Sequence, residues 1–417
     1  MKKIKLGDIL DVKRGASLSG KFYADQGERI RLTLGNFNYP SGGFKENTSK
    51  TNIFFVGEVK QEFILKKGDI ITPLTEQVSG LLGETARIPE NNKYIQSGDI
   101  GLVIPDENLV DNSFVYYLIS SPIVKKQLDA AAQQTKIRHT SPEKIKDCEV
   151  WLPDIRHQKF TGELLDVINE KIKNNNKIIA ELESMAKTIY DYWFLQFEFP
   201  NEDGKPYKSS GGKMVWNKEL KKEIPVGWKV GNLYEITEFI NGLACQKFRP
   251  VDYNKKIPVI KIKEMHEGIS ESTEYVREDI PEKNIVSDGD ILFSWSATLE
   301  TMIWAGGKGG LNQHIFKVIP KEYAKYYVYM QLSAYIINFV HMAEARKTTM
   351  GHITTEHLIQ SRIAIPPKKI TYIYEEKTQG IFNKIICNSR QNRELILLRN
   401  FLLPLLMNEQ IRFKERM

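Results

Sequence analysis

Residues 114–153 read FVYYLISSPIVKKQLDAAAQQTKIRHTSPEKIKDCEVWLP, and residues 327–366 read YVYMQLSAYIINFVHMAEARKTTMGHITTEHLIQSRIAIP. The two stretches align without a gap at a constant offset of 213. Ten pairs are identical: Val115/Val328, Tyr116/Tyr329, Ser120/Ser333, Ile123/Ile336, Ala130/Ala343, Ala132/Ala345, Thr135/Thr348, His139/His352, Glu143/Glu356 and Pro153/Pro366. Ile145/Leu358 and Val150/Ile363 are conservative pairs between them. Upstream, Gly68-Asp69-Ile70 matches Gly289-Asp290-Ile291, and Lys5-Leu6-Gly7-Asp8 is paired with Lys229-Val230-Gly231-Asn232. A period above 200 residues is far too long for a solenoid repeat, so the chain holds two copies of one domain.

Each copy runs into a long helical segment. Ile168, Ile172, Asn175, Ile179, Leu182, Ala186, Ile189 and Trp193 recur in steps of three and four, a heptad seam with one polar position at Asn175. No proline interrupts residues 154–199. The second segment runs from Tyr372 through Phe382, Ile386 and Ile396 to Leu403, with a polar middle at Asn388, Arg390, Asn392 and Arg393. Helices this long outrun domains of about 150 residues and would bury their seams against each other. The expected fold class is therefore α+β: two similar α/β domains with pseudo-twofold symmetry, separated by two long antiparallel helices forming a coiled coil. The expected boundaries are a first domain at 1–155, a helix at 156–199, a linker at 200–228, a second domain at 229–368 and a closing helix at 369–417. Within these, helix proper is expected at about 156–197 and 370–410. Pro200 through Gly212, rich in Pro, Gly, Ser and charge, reads as loop.

The 417-residue chain carries 41% hydrophobic and 27% charged residues and a net charge of +7, a mild excess that permits a polyanionic partner without requiring one. No apolar run has the length of a membrane span or signal peptide, which predicts a cytoplasmic protein with no membrane partner. Cys148, Cys245 and Cys387 are odd in number and far apart, against both a disulfide framework and a structural zinc site. His352 and His357 lack the Glu of an H-E-x-x-H motif, so no metal is expected.

A search for catalytic motifs is negative. Gly306-Gly307-Lys308-Gly309-Gly310 has the wrong spacing for a phosphate loop, and no G-x-G-x-x-G turn follows a strand. Pro366-Pro367 is followed by lysine, so the tetrapeptide that holds a target amine in amino-methyltransferases is absent. Asp154 with Glu375-Glu376-Lys377 could be forced into a nuclease centre, but a helix start and a solvated helix face explain them better. No catalytic residue is expected.

The domains offer instead basic and amide side chains beside aromatics. Arg matches guanine and Asn or Gln matches adenine in the major groove, while Lys and Thr serve phosphates. The candidate DNA-contacting residues are Lys13, Arg14, Arg31, Asn36, Gln134, Lys136 and Arg138 in the first copy. In the second they are Lys247, Arg249, Lys263, Gln313, Arg346, Lys347 and Thr348, with Trp295, Asn312 and His314 nearby in sequence. Segments 133–140 and 346–353 hold matched places after a helix yet differ, Lys136-Ile137-Arg138 against Thr349-Met350-Gly351. One scaffold with two contact surfaces is what a reader of two different half-sites needs.

The order of domain, long helix, linker, domain and long helix resembles the specificity subunit of type I restriction-modification enzymes over nearly the whole chain. The segments Thr135 to Pro153 and Thr348 to Pro367, the linker from Gly204 through Gly212 to Ile224-Pro225-Val226-Gly227-Trp228, the two Gly-Asp-Ile turns and Asn312-Gln313-His314 carry the resemblance. One departure is the loss, after Pro366-Pro367, of the family's Leu-x-x-Gln, whose Gln survives in the first copy as Gln158. The resemblance implies that each copy is a target-recognition domain reading half of a bipartite double-stranded DNA site. The helices would set the spacer and dock two methyltransferase subunits, and restriction/translocase subunits would complete the complex. S-adenosylmethionine and ATP with Mg would belong to those partners, and no cofactor to this chain. Trp193, Phe194, Phe199 and the run Phe401 to Leu406 are expected to be covered in part by a methyltransferase subunit. The rival readings are a stand-alone methyltransferase or nuclease, and a scaffold that binds protein only.

Overall fold

The computed structural model describes residues 2–39, 42–48, 50–76, 80–131, 138–252, 254–270, 272–296, 298–345 and 353–411. The chain divides into two compact units, Met1–Lys171 with Leu395–Met417, and Ile172–Glu394. Both divisions fall inside long helices, so each unit holds one copy of the repeated domain and a stretch of each helix.

In the first unit a four-stranded antiparallel sheet has the order Leu10–Arg14, Ile100–Pro105, Ile70–Pro73, Ala86–Arg87. Because successive side chains of a strand point to opposite faces, Ile70 and Ile71 enter different cores. Ile70 joins Leu6, Val12, Phe114, Leu118 and Leu165, whereas Ile71 joins Leu32, Leu65, Tyr94 and Ile100 beneath a second, smaller sheet. That smaller sheet orders Tyr23–Ala24, Phe54–Phe55, Ile30–Arg31, Tyr94–Ile95, its last pair parallel.

The second unit repeats the larger sheet strand for strand, and its smaller sheet keeps the parallel pair but places it in the middle. Thr237–Asn241, Ile315–Pro320, Ile291–Ser294 and Glu300–Ile303 form the larger sheet. Tyr275–Arg277, Lys256–Ile260, Gly309–Leu311 and Ile285–Val286 form the smaller one, with a parallel pair between Lys256–Ile260 and Gly309–Leu311. Ile291 and Leu292 again part company between two cores. The paired Gly-Asp-Ile motifs make one and the same turn. Gly68 and Gly289 take φ of 92° and 96°, a left-handed conformation that favours glycine. Asp69 accepts from the Lys66 amide at 2.7 Å and Asp290 from the Ser287 amide at 2.8 Å.

Two features differ from the alignment. Helix Lys325–Ala345 is continuous, but its counterpart is broken into Asn112–Ile119 and Pro122–Ala131, because the ring of Pro122 disfavours helical geometry at Ser121. The pairing of Lys5–Asp8 with Lys229–Asn232 is corrected by three residues. Lys2 opposes Leu152 while Lys229 opposes Ile365, so Lys2 matches Lys229 and the buried Leu6 matches Leu233. Strand register, set by which residues are buried, overrides the local likeness.

The long helices are Ile155–Tyr190 and Lys368–Met407, their first residues again 213 apart. The missing Gln of the second copy has a substitute. Gln158 accepts from the Asp111 amide at 3.0 Å, and at the matched position the Thr371 hydroxyl accepts from the Ala324 amide at 3.3 Å. In the first unit the helices run antiparallel, with the His157 ring 3.0 Å from the Leu406 carbonyl and Arg399 donating to Asn169 at 3.0 Å. In the second unit they are antiparallel too, with Tyr374 donating to the Ala186 carbonyl at 3.4 Å. Every member of the first seam is buried or half-buried. The second seam is Tyr374, Thr378, Phe382, Ile385, Asn388 and Asn392, which leaves Tyr372, 52% exposed, on the opposite face from its expected place.

The aromatic end of the first helix is also corrected. Trp193, Phe194 and Phe199 are buried within the chain's own second unit, Phe194 lying 4.8 Å from Tyr327 between ring centroids. The stretch read as linker packs with them: Phe199 stacks on Tyr207 at 4.6 Å, and Met214–Asn217 pairs with Lys222–Pro225 as a hairpin. Near the end of the second helix Phe401 is 65% exposed, whereas Leu406 is buried.

Candidate nucleic-acid interface

Of the fourteen candidate contact residues, Gln134, Lys136, Arg346, Lys347 and Thr348 lie outside the described residues. The other nine occupy several distinct settings.

Lys13 and Arg14 end the edge strand of the larger sheet in the first domain; both are exposed, and Arg14 donates to the Gly98 carbonyl at 3.3 Å. Lys13 and Lys247 make no ion pair among the described residues, which leaves their charge available to an incoming anion. Arg249 is exposed just beyond the short helix Cys245–Phe248. Lys263 donates to Ser272 at 2.7 Å and lies 3.7 Å from Glu267.

Arg31 and Arg138 are engaged within the fold. Arg31 lies 3.8 Å over the Tyr23 ring and donates to the Asn52 carbonyl at 3.3 Å. Arg138 pairs with Glu76 at 2.8 Å and Asp129 at 2.5 Å. Glu76 is 2% exposed and also accepts from the amides of Gly80 and Leu82, so it ties Arg138 to a buried junction. No sequence pattern singles out Glu76, because a buried carboxylate is recognised only by its partners.

Asn36 is 2% exposed and works locally. Its Oδ1 accepts from the Thr33 amide at 2.9 Å, and its Nδ2 donates to the Lys45 carbonyl at 3.2 Å. The second copy places Glu264, 3% exposed, in the same role toward the Lys261 amide at 3.2 Å. Asn36 therefore closes a short helical turn, a use of its amide that competes with reading a base.

The two domains share one further construction. After the edge strand, Gly15 and Gly242 press against a turn, and a Cβ there would come 2.3 Å from the Ser97 carbonyl oxygen and 2.0 Å from that of Asn312. Ala16 donates to the Gln96 carbonyl at 3.0 Å, and Leu243 to that of Leu311 at 2.8 Å. The turn closes by Ile100 donating to Ser97 and Ile315 donating to Asn312, each at 3.0 Å. Its two central residues are Gly98-Asp99 in the first domain and Gln313-His314 in the second, with Asp99 and His314 exposed. The His314 ring lies 5.7 Å from that of Trp295 and 3.3 Å, by Nε2, from the Gln313 amide nitrogen.

Among the described residues no group of three or more His, Cys, Asp or Glu could hold a metal ion, and no helix is long and apolar enough to cross a membrane.

A two-sheet domain present twice, each copy joined to stretches of two long helices and exposing different polar residues on matched turns, defines a class of paired sequence readers. A sequence profile of the type I restriction modification DNA specificity domain matches residues 1–184 and again residues 225–388, so the chain belongs to that family as a specificity subunit with two copies of the domain. It is 24% identical over 334 residues to the type I restriction enzyme MjaIX specificity subunit of Methanocaldococcus jannaschii, covering 75% of this chain and 72% of that one. It is 21% identical over 404 residues to the type I restriction enzyme HindI specificity subunit of Haemophilus influenzae, covering 83% and 87%. Among solved structures, the type I restriction-modification system S subunit from M. genitalium has the same fold, with a TM-score of 0.56 over 97% of this chain and 95% of that one at 14% identity.

Proposed function

We propose that each domain reads one half of a bipartite duplex-DNA target, without catalysis by this chain. The observation that carries this reading is the match of the two larger sheets and of the turns beside their edge strands, with different exposed side chains on the matched turns. In the same reading the exposed cations Lys13, Arg14, Lys247, Arg249 and Lys263 meet phosphates or bases. Gln134, Lys136, Gln313, Arg346, Lys347 and Thr348 belong to the same contact set, and Arg31, Asn36 and Arg138 support it from within.

The helices would set the spacing between half-sites and dock two methyltransferase subunits, to which restriction/translocase subunits add in the cytoplasm. Transfer of a methyl group would use S-adenosylmethionine bound to the methyltransferase subunits, and translocation would use ATP with Mg in the others. Exposed Val167, Leu397 and Phe401 on the helices support a protein neighbour there.

Replacing residues 1–155 by the corresponding domain of a relative, co-expressing the partners and mapping modified bases tests the reading. One half of the target should change and the other persist. A change in both halves or in neither overturns it, and methyl transfer to DNA by the pure chain alone would overturn the absence of catalysis.

A further inference from the structure

We propose that the matched turns at Gly98-Asp99 and Gln313-His314 are base-reading positions, Asp99 accepting from a cytosine amine and Gln313 making a paired contact with adenine. The inference rests on the reading of the chain as a two-half DNA reader, and it adds the residues and the bases.

Three observations carry it. First, the turns are the same object in both domains. Each is clamped from one side by a glycine that no larger residue can replace without backbone movement, and each is closed by a single i to i+3 hydrogen bond of 3.0 Å. Each is also tied to the end of the larger sheet's inner strand, through the Leu74 amide to the Asp99 carbonyl at 2.8 Å and the Trp295 amide to the His314 carbonyl at 3.4 Å. A side chain displayed on so fixed a turn needs little ordering on binding, which is the condition for discriminating among bases.

Second, what the turns display differs where the backbone does not. A carboxylate accepts from the N4 amine of cytosine, and an amide matches the N6/N7 edge of adenine. In the second domain His314 meets the Gln313 amide nitrogen at 3.3 Å while its ring lies beside Trp295. His314 is thus a positioning residue that restricts the Gln313 amide.

Third, the charge of the neighbouring strand follows that of the turn. Strand register matches Arg14, opposite Gly101, with Asn241, opposite Phe316. Beside the acidic turn stands Arg14, 3.3 Å from the Gly98 carbonyl; beside the uncharged Gln313 stands Asn241. A carboxylate facing DNA is repelled by phosphates unless a cation lies next to it and a base amine meets it. The first domain supplies that cation, and the second, with no carboxylate on its turn, does without one.

The full chain with its partner subunits, bound to a randomised duplex library and sequenced after selection, tests the assignment. Asp99→Asn should lower discrimination at one cytosine position of the first half by roughly tenfold, the order expected of one good side chain–base contact, with the second half unchanged. Gln313→Ala should do the same at one adenine position of the second half only. His314→Ala should act at that same position, and the double variant should be no worse than Gln313→Ala, as expected of residues that act as a unit. Unaltered selected sequences in Asp99→Asn and Gln313→Ala, or an even loss over all positions, overturn the proposal while the wild-type chain still selects a bipartite site. If the wild-type complex selects no bipartite sequence, the two-half reading itself falls.

Discussion

Asn175 on the first long helix donates from one amide nitrogen to both Asn392 Oδ1 and Gln391 Oε1 on the second, each at 2.9 Å, while Asn392 donates to Asn176 at 2.7 Å. Asn175 is 1% and Asn392 7% exposed, so this is a buried amide cluster within the helix–helix seam, where Asn388 is buried too. Polar pairs of this kind fix helix register at some cost in stability. Asn175→Ala strands the acceptor of buried Asn392 and should lower unfolding free energy by about 1–3 kcal/mol in denaturant titrations. The paired change Asn175→Leu with Asn392→Leu should recover most of that loss but weaken the defined register, read as broadened amide resonances or faster hydrogen exchange along both helices.

Gly15→Ala and Gly242→Ala place a Cβ within 2.3 Å and 2.0 Å of a carbonyl oxygen, closer than any relaxed contact. Since backbone must move, each should destabilise its own unit by about 1–3 kcal/mol or more, seen as a lowered Tm. Each should also blur only its own half of the selected DNA sequence. Equal damage to both halves would contradict independent reading.

Gly380 lies within helix Lys368–Met407, and a Cβ there would have no atom within 4 Å. Glycine in a helix interior costs about 1 kcal/mol relative to alanine. Gly380→Ala should therefore stabilise the chain by about that amount, with unchanged DNA selectivity; a drop in Tm would show that the helix departs from regular geometry there.

Asp154 starts the first long helix, its Oδ1 accepting from the amides of Arg156 and His157, both at 3.0 Å. The His157 amide, with that of Arg156, holds the Asp154 carboxyl below its ordinary range. A lowered folded-state pKa means that the cap stabilises above the unfolded carboxylate pKa near 4 and loses its effect as pH falls through the lowered value. Asp154→Ala should thus cost about 1 kcal/mol at neutral pH and progressively less below about pH 4, measured as the gap in unfolding free energy between variant and wild type.

Much of the architecture was legible because it repeats or is periodic. The offset of 213 reaches from the helices that pack on the sheets to the first residues of both long helices, and the seam from Ile168 to Trp193 is buried as its spacing requires. Candidate residues were less legible. Asn36 and Arg138 have the side chains of DNA readers, yet one caps a turn through Thr33 and the other is bound to Glu76 and Asp129. Residue type states what a group can bond to, and says nothing of which neighbour reaches it first.

The sequence by itself determined that this chain carries one domain twice, that its long helices meet through an apolar seam broken at Asn175, and that the copies differ where they face outward. These follow from local periodicity and self-similarity, which any folded form must respect. Tertiary structure alone decided the three-residue register between Lys2 and Lys229, the burial of Trp193, Phe194 and Phe199 in the second unit, and the matching of Asp99 with His314 on one turn. Each of these depends on closing contacts between residues far apart in the chain, whose free energy comes from burying particular surfaces together and leaves no pattern in any short stretch of sequence.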